Sequence, residues 1–486
     1  MQTKYGKILN FILSSLVFLL ISLQAGAANK PLLVNQLKNH TSPYLALHGE
    51  DPVAWQDWSE NAVTLARKQN KLLYLSIGYF SCHWCHVMQQ ESYRNPKIAA
   101  FLNKHFIPVK IDRELEPALD ARMIEFVEQT RGMGGWPLNV FITPDGYPLY
   151  AVLYEPPGNF QEILKKLNDL WVKDPEELKN LALDHVQTAK GPGAPRIEKD
   201  KVKTYLDRLV MGVRGYADSL NGGFGEQSKF PSVPQLTFLV DYVKQTDDAR
   251  LKEILVLTLD QMATLGLRDH LAGGFFRYTV DPGWTTPHFE KMLYDNAQLA
   301  SIYLQASQLL KRPDYQLVAV DTLDFLLAGM RDKQGAFIAS LSAVDDKGIE
   351  GGNYLWSKDQ LKKILSAKEY QVFLLAWSIR DAPPFDQGYL PITGSPIREI
   401  AKTTGLKLDD VEKLLQRAKV KLLEQRNKRN LPRDTKLLAG WNGLALKALS
   451  ETAKVTESVK FKNAAQEVRD YIINNLWDGD SLKRSV

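Results

Sequence analysis

The chain has 486 residues, 44% hydrophobic and 24% charged, with 61 basic against 56 acidic side chains and a formal charge of +5. That is too long for one ordinary hydrophobic core, so two or more globular domains are expected, and the composition excludes a disordered or fibrous chain. Acidic and basic residues are interleaved with no long single-sign block, so no nucleic-acid partner is expected, and groups such as Arg426 to Arg429 read as solvated helix ends.

In chain order, Lys4 and Lys7 precede an apolar run from Ile8 to Leu23, and Ala25-Gly26-Ala27 offers a cleavage site, so residues 1–28 read as a signal peptide. The run is short of the ~20 residues a membrane span needs, so membrane contact is expected only through this segment if it stays uncleaved. Export to the periplasm or the medium follows, an oxidising setting in which two cysteines can persist as a disulfide. A turn-rich lead-in, Asn35 to Trp58, is followed by a helix at Glu60–Gln69 with Asp57 or Ser59 as its cap. Leu72–Ile77 reads as a buried strand, broken by Gly78. Cys82-His83-Trp84-Cys85 then opens a helical pattern carrying Val87, Met88, Ile98, Phe101 and Leu102. Strand Phe106–Ile111, helix Leu119–Thr130, strand Leu138–Thr143, the turn Pro144-Asp145-Gly146, strand Tyr147–Leu153 and helix Phe160–Val172 complete a β-α-β-α-β-β-α order. This α/β domain is assigned to 29–190.

Gly191-Pro192-Gly193-Ala194-Pro195 marks a linker, 191–198. Beyond it, 199–486 reads as an all-α domain with about nine helices, from Lys199–Asp218 to Lys460–Leu476. They include a helix at Phe289–Leu310, one at Tyr315–Arg331 and a single long one at Lys358–Trp377. Asn221-Gly222-Gly223-Phe224 recurs as Ala272-Gly273-Gly274-Phe275 and, degraded, as Gln334-Gly335-Ala336-Phe337. A repeat of ~50 to 60 residues with this helix context suggests stacked helical hairpins.

The chain's two cysteines both lie in Cys82-His83-Trp84-Cys85-His86. As Cys-x-x-Cys this is a dithiol or disulfide site, with the first cysteine at the opening turn of a helix and the second one turn behind. As C-x-x-C-H it is a c-type haem attachment site, and two cysteines with His83 and His86 are a metal set. The preceding buried strand and the surrounding elements favour the redox reading. Haem also needs a second axial ligand that nothing in the sequence marks, and ligands crowded on one helical turn surround a tetrahedral ion poorly. On that reading no cofactor is required beyond the Cys82–Cys85 pair, and the partner is a protein or small thiol. Trp136-Pro137 falls just before a strand after Gly132, Gly134 and Gly135. If cis, Pro137 would lie beside the two sulfurs; trans is the commoner state of such bonds.

Cys82 to Cys85 with Trp136-Pro137 resembles the thioredoxin superfamily. A closer resemblance rests on Ser42-Pro43-Tyr44-Leu45, Pro52-Val53, Trp55, Leu75-Ser76-Ile77-Gly78-Tyr79, Cys82 to Met88, Glu91-Ser92 and Gly134 to Leu138. It continues through Gly222-Gly223-Phe224, Lys229-Phe230-Pro231, His288 to Asn296, Asp434 and Trp441-Asn442-Gly443. By these motifs the chain resembles the spermatogenesis-associated thioredoxin-like proteins and their bacterial relatives. The resemblance implies a thioredoxin-like domain joined to a helical domain similar to six-hairpin glycosidases, an (α/α) toroid. With about nine helices against the twelve of a closed ring, either an open arc or a chain shorter than its relatives is expected. Ser76 stands where many thioredoxins carry a buried acid, and His83-Trp84 is bulkier than the common Gly-Pro. An imidazolium at His83 would favour the thiolate and make the couple more oxidising.

The second domain offers candidates for a sugar-type cleft: His288, Glu290, Asp295, Asp345, Asp346, Glu350 and Asp434. Phe276, Tyr278, Trp284, Tyr354 and Trp441 are stacking surfaces for a carbohydrate ligand. Glycoside chemistry needs two carboxyl groups flanking one bond; helix caps and ends are the plainer role for such residues.

Overall fold

The computed structural model describes residues 33–189, 198–379 and 382–485. The expected signal segment, 1–28, and all but the last residue of the expected linker, 191–198, lie outside them.

The first half is built on a four-stranded sheet: β1 (Leu73–Gly78), β2 (Ile107–Asp112), β3 (Leu138–Ile142) and β4 (Pro148–Val152), in the order β2-β1-β3-β4. β1 pairs parallel with β2 and antiparallel with β3, and β3 pairs antiparallel with β4. Alternation along each strand divides its side chains between two faces. Leu73, Leu75 and Ile77 join Val109, Val140 and Ile142 on one face, covered by α2 (Glu60–Gln69) and α5 (Pro117–Arg131). On the other face Tyr74 and Phe141 pack under α3 (His83–Met88), α4 (Pro96–His105) and α6 (Pro157–Lys173), with the lead-in helix α1 (Pro43–Leu47) beside them. Both faces are covered, which is why β1 is buried throughout. Ser59 caps α2, its side chain accepting from the Ala62 N–H. The helix expected after the cysteines is interrupted: α3 ends in wider π turns, Gln89–Tyr93, and Asn95-Pro96 restarts the chain as α4 with Asn95 as its cap. A helix not read from the sequence, α7 (Pro175–Ala189), follows α6.

The second half contains α8 (Val202–Tyr216), α9 (Val233–Thr246), α10 (Ala249–Thr264), α11 (Leu293–Leu310), α12 (Pro313–Phe325), α13 (Lys358–Ile364), α14 (Ala367–Ala376), α15 (Ile397–Thr404), α16 (Leu408–Arg426), α17 (Ala439–Thr456) and α18 (Val459–Tyr471). α11 packs against α9, α12 and α17 and is buried nearly all round, as the inner helix of an arc must be. α10, α12 and α18 pair with α9, α11 and α17 as hairpins. The expected helix Lys358–Trp377 is two: Leu365 is extended, and Ser366 with Glu369 forms a capping box that starts α14 afresh. The expected start of α11 at Phe289 is also corrected. Pro287–His288 and Lys291–Met292 are short strands (β6 and β7) paired with Tyr278–Thr279 (β5) and Ser340–Leu341 (β8), so Glu290 sits on extended chain rather than on a helix.

The glycine repeat is structural. Asp218, Asp269 and Asp332 each donate a backbone N–H to the carbonyl of Gly223, Gly274 and Ala336, at 3.0, 3.0 and 2.8 Å. Each loop then bridges back through Phe224, Phe275 or Phe337. Gly222, Gly223, Gly273, Gly274 and Gly335 all have positive φ, between 71° and 91°, which a Cβ resists.

Candidate functional site

β1 delivers the chain to Gly78, and the next residues turn into α3 with Cys82 as its cap. Cys82 and Cys85 are joined as a disulfide with their Cα atoms 5.3 Å apart, and the Cys85 N–H donates to Cys82 Sγ at 3.1 Å. That backbone donor would favour negative charge on Cys82 once the bond opens. The Trp136–Pro137 bond is cis, and Pro137 is buried at the entry to β3, the strand beside β1.

The disulfide lies at the junction of the two halves. Cys82 is 3% exposed and Cys85 1%, whereas Trp84 between them is 45% exposed. The chain before Cys82 is clamped by the helical half. Tyr79 O–H donates to Glu290 Oε1 at 3.0 Å, and Arg277 donates to the Tyr79 oxygen and lies 3.2 Å from Glu290 Oε2. Ser81 O–H reaches Glu290 at 3.4 Å and Met292 Sδ at 3.3 Å. Further along the same seam, Lys436 binds Asp112 at the end of β2, Glu114 at 2.9 Å and Asp434 at 3.0 Å.

Beside this clamp a cavity of about 670 Å³ opens between the halves, lined by His83, Trp84, Tyr278, His288, Glu350 and Phe385 among others. His83 and His288 face each other with ring centroids 5.8 Å apart. Glu350 lies 3.8 Å from His83 Nε2 and 3.2 Å from His288 Nδ1, the latter outside hydrogen-bonding alignment. Burial lowers His83 to a pKa of about 4, with His288 adding to the effect, and lowers His288 to about 4, with the Arg277 charge adding. Burial raises Glu350 to about 7, helped by Glu290. The expected imidazolium at His83 is thus corrected: near neutral pH the ring is uncharged.

The other cleft candidates do not converge on this cavity. Asp295 is buried beside Arg277 and Glu290, and burial raises it to about 7. Asp345 caps its own turn, accepting from the N–H groups of Lys347 and Ile349 at 2.9 Å each. Asp434 is spent on Lys436, and Trp441 packs on Tyr294 at 4.7 Å. Tyr79 and Arg277, which hold the junction, were missed in the sequence; Arg277 stands out only as a charge within the apolar Gly273-Gly274-Phe275-Phe276 stretch. His86 Nε2 is 2.7 Å from the Phe80 carbonyl, and the two sulfurs are bonded to each other, so this arrangement leaves neither the ring nor the thiols free for haem. Among the described residues no group of three or more His, Cys, Asp or Glu side chains is placed to hold a metal ion.

The strand order, the Cys-x-x-Cys disulfide at the head of a helix and the cis proline at the start of β3 define a thioredoxin-like protein, here joined to an arc of the (α/α) toroid kind. Residues 34–189 match the family Thioredox_DsbH, described as a protein of unknown function, DUF255. Over most of its length the chain is similar to spermatogenesis-associated protein 20. It is 32% identical to spermatogenesis-associated protein 20 of Homo sapiens over 487 residues, covering 91% of this chain and 62% of that protein. It is 30% identical to "Uncharacterized protein B0495.5" of Caenorhabditis elegans, covering 93% and 66%. The chain thus spans about two thirds or less of the length of these relatives. Among solved structures it is similar to a family 76 glycoside hydrolase from Bacteroides thetaiotaomicron at 10% identity and TM-score 0.36, over 60% of this chain and 46% of that one. It is also similar to a DsbH oxidoreductase at 20% identity and TM-score 0.21, over 24% and 85%.

Proposed function

We propose that this is an exported thiol–disulfide oxidoreductase that exchanges electrons with a protein or small-thiol partner. The observation that carries the reading is the Cys82–Cys85 disulfide at the head of α3, with the Cys85 N–H already directed at Cys82 Sγ. Cys82 is the sulfur that attacks or is attacked, Cys85 resolves the mixed disulfide, and Pro137 shapes the adjacent groove. His83 acts as a neutral polar wall of the access cavity rather than as a charge. The lead segment with its basic start, apolar run and small-residue site supports export. In a dithiol exchange assay Cys82→Ser is expected to abolish activity; full activity in that variant, or none in the parent, removes the reading.

The 670 Å³ cavity favours a second reading, a small polar ligand such as a carbohydrate held between Trp84, Tyr278 and the His288–Glu350 pair. Glycan binding that survives Cys82→Ser would separate this role from the redox one.

A further inference from the structure

On the side of the disulfide formed by the lead-in segment lies a buried polar group with nothing to bind. Tyr44, in α1, is 1% exposed, and its hydroxyl has no hydrogen-bond partner. The rest of the side chain is held firmly. Ser42 caps α1 through the Leu45 N–H and donates to Asp112 Oδ2 at 2.6 Å, and the Tyr44 ring packs edge-on against His48 with centroids 5.2 Å apart.

The hydroxyl borders the same space as Cys85 Sγ. Gly78 leaves a small space at the end of β1; a Cβ there would stand 2.3 Å from Tyr44 Oη and 2.8 Å from Cys85 Sγ. Oxygen and sulfur therefore border one small space, and a side chain at 78 would crowd both. Ser76 on β1 supplies no carboxyl, and its hydroxyl is already engaged by Lys110 at 2.8 Å and Tyr93 at 2.8 Å.

We infer that Tyr44 is a catalytic residue of the redox pair, the hydrogen-bond donor that receives the Cys85 sulfur when the disulfide opens. This rests on the thiol–disulfide reading above. When a substrate thiolate attacks Cys82 Sγ, a new S–S bond forms to Cys82 as the Cys82–Cys85 bond breaks, and the electron pair leaves on Cys85. The Tyr44 O–H donates a hydrogen bond to that thiolate and keeps its proton. The second substrate thiolate then attacks the substrate sulfur bound to Cys82, closing the substrate disulfide and releasing Cys82. Two electrons pass from the substrate dithiol to the pair, and the two thiol protons go to solvent or onto the cysteines. Burial holds the Tyr44 hydroxyl well above the ordinary phenol range, so it remains a donor throughout. A neutral disulfide sulfur is a poor acceptor and a thiolate a good one, which explains an orphaned hydroxyl in the oxidised protein.

The test is Tyr44→Phe in the full chain, read in both redox states. Because the hydroxyl binds nothing while the disulfide is closed, the oxidised variant is expected to melt no lower than the parent, whereas the reduced variant melts lower. In a Cys82→Ser background, thiolate absorbance should show Cys85 titrating about one pH unit higher when Tyr44 is Phe. Reduction of the Tyr44→Phe disulfide by a small dithiol should slow by about tenfold. A purely structural Tyr44 would destabilise both redox states alike and leave the Cys85 titration unmoved; either result overturns the inference while leaving the redox reading intact. A parent that exchanges no thiols, with or without Tyr44, removes the redox reading and this inference with it.

Discussion

Burial decides the charge of several side chains around the disulfide, and the sequence carries little trace of it. His83 looks like a cation in waiting until the helical half closes over it; enclosed with His288, it stays neutral. Lys110 is the sharper case. It lies opposite Ser76 in the parallel pairing of β1 and β2, fully buried, 4.6 Å from the Tyr93 ring centroid and 5.2 Å from those of Tyr44 and Trp55. Burial lowers it from 10.5 to about 7, against the pull of Asp51. Between pH 7 and 10.5 the unfolded chain holds a proton that the folded protein has released, so Lys110 makes stability rise with pH across that window. Below it the cost of burying the charge is felt in full. Lys110→Met is expected to be at least as stable as the parent at pH 7 and to flatten the rise, by up to about 1.4 kcal/mol per pH unit. Denaturant titrations at neutral and alkaline pH check this; an unchanged slope would mean that Lys110 is not the titrating group.

At the scale of elements, the parts of the fold written in local pattern were legible. Glu60–Gln69 has its serine cap and left-handed Asn70 exit, and the four strands are runs of apolar residues between turn signals. The failures have local causes too. Ser366 and Glu369 form a cap inside what reads as continuous helical periodicity, and β6 and β7 take residues whose pattern suits a helix because they pair with β5 and β8. Cys82, Cys85 and Pro137 were legible because the motif is contiguous or abuts a strand. Tyr79, Arg277 and Glu290 meet only through tertiary contact, so the sequence offered them as scattered polar residues at most. The lead-in shows how a short element gains weight from its contacts. α1 has only five residues, yet Ser42 both caps it and reaches Asp112, the residue that Lys436 grips from the other half. Ser42→Ala is expected to cost about 1–2 kcal/mol, because a cap and a buried charge-assisted bond are lost together. A denaturation midpoint within error of the parent's would show that the Asp112–Lys436 pair holds α1 without it.

The two halves meet around the segment that carries the Cys82–Cys85 disulfide. In the first half the sheet and α3 place the disulfide; the helical half then holds the residues just before it, Tyr79 and Ser81, through Glu290, Arg277 and Met292, and the cavity lined by His83, His288 and Glu350 opens next to α3. With the cysteines only 3% and 1% exposed, a small molecule should reach them more readily than a folded polypeptide. Small disulfides such as cystamine are therefore expected to exchange with the parent at least tenfold faster than a folded protein disulfide of similar potential. Glu290→Gln should narrow that gap. It removes the charge facing Arg277 and weakens the hold on Tyr79 and Ser81, and breaking a buried pair by one partner costs about 3–5 kcal/mol, enough to loosen the seam. The comparison is a ratio of second-order rates in one protein preparation, so a general loss of folded material cancels. Equal rates for small and protein disulfides in the parent would mean that the helical half does not gate access. A gap untouched by Glu290→Gln would mean that the gating lies elsewhere on the seam, with the Lys436 cluster the next contact to break.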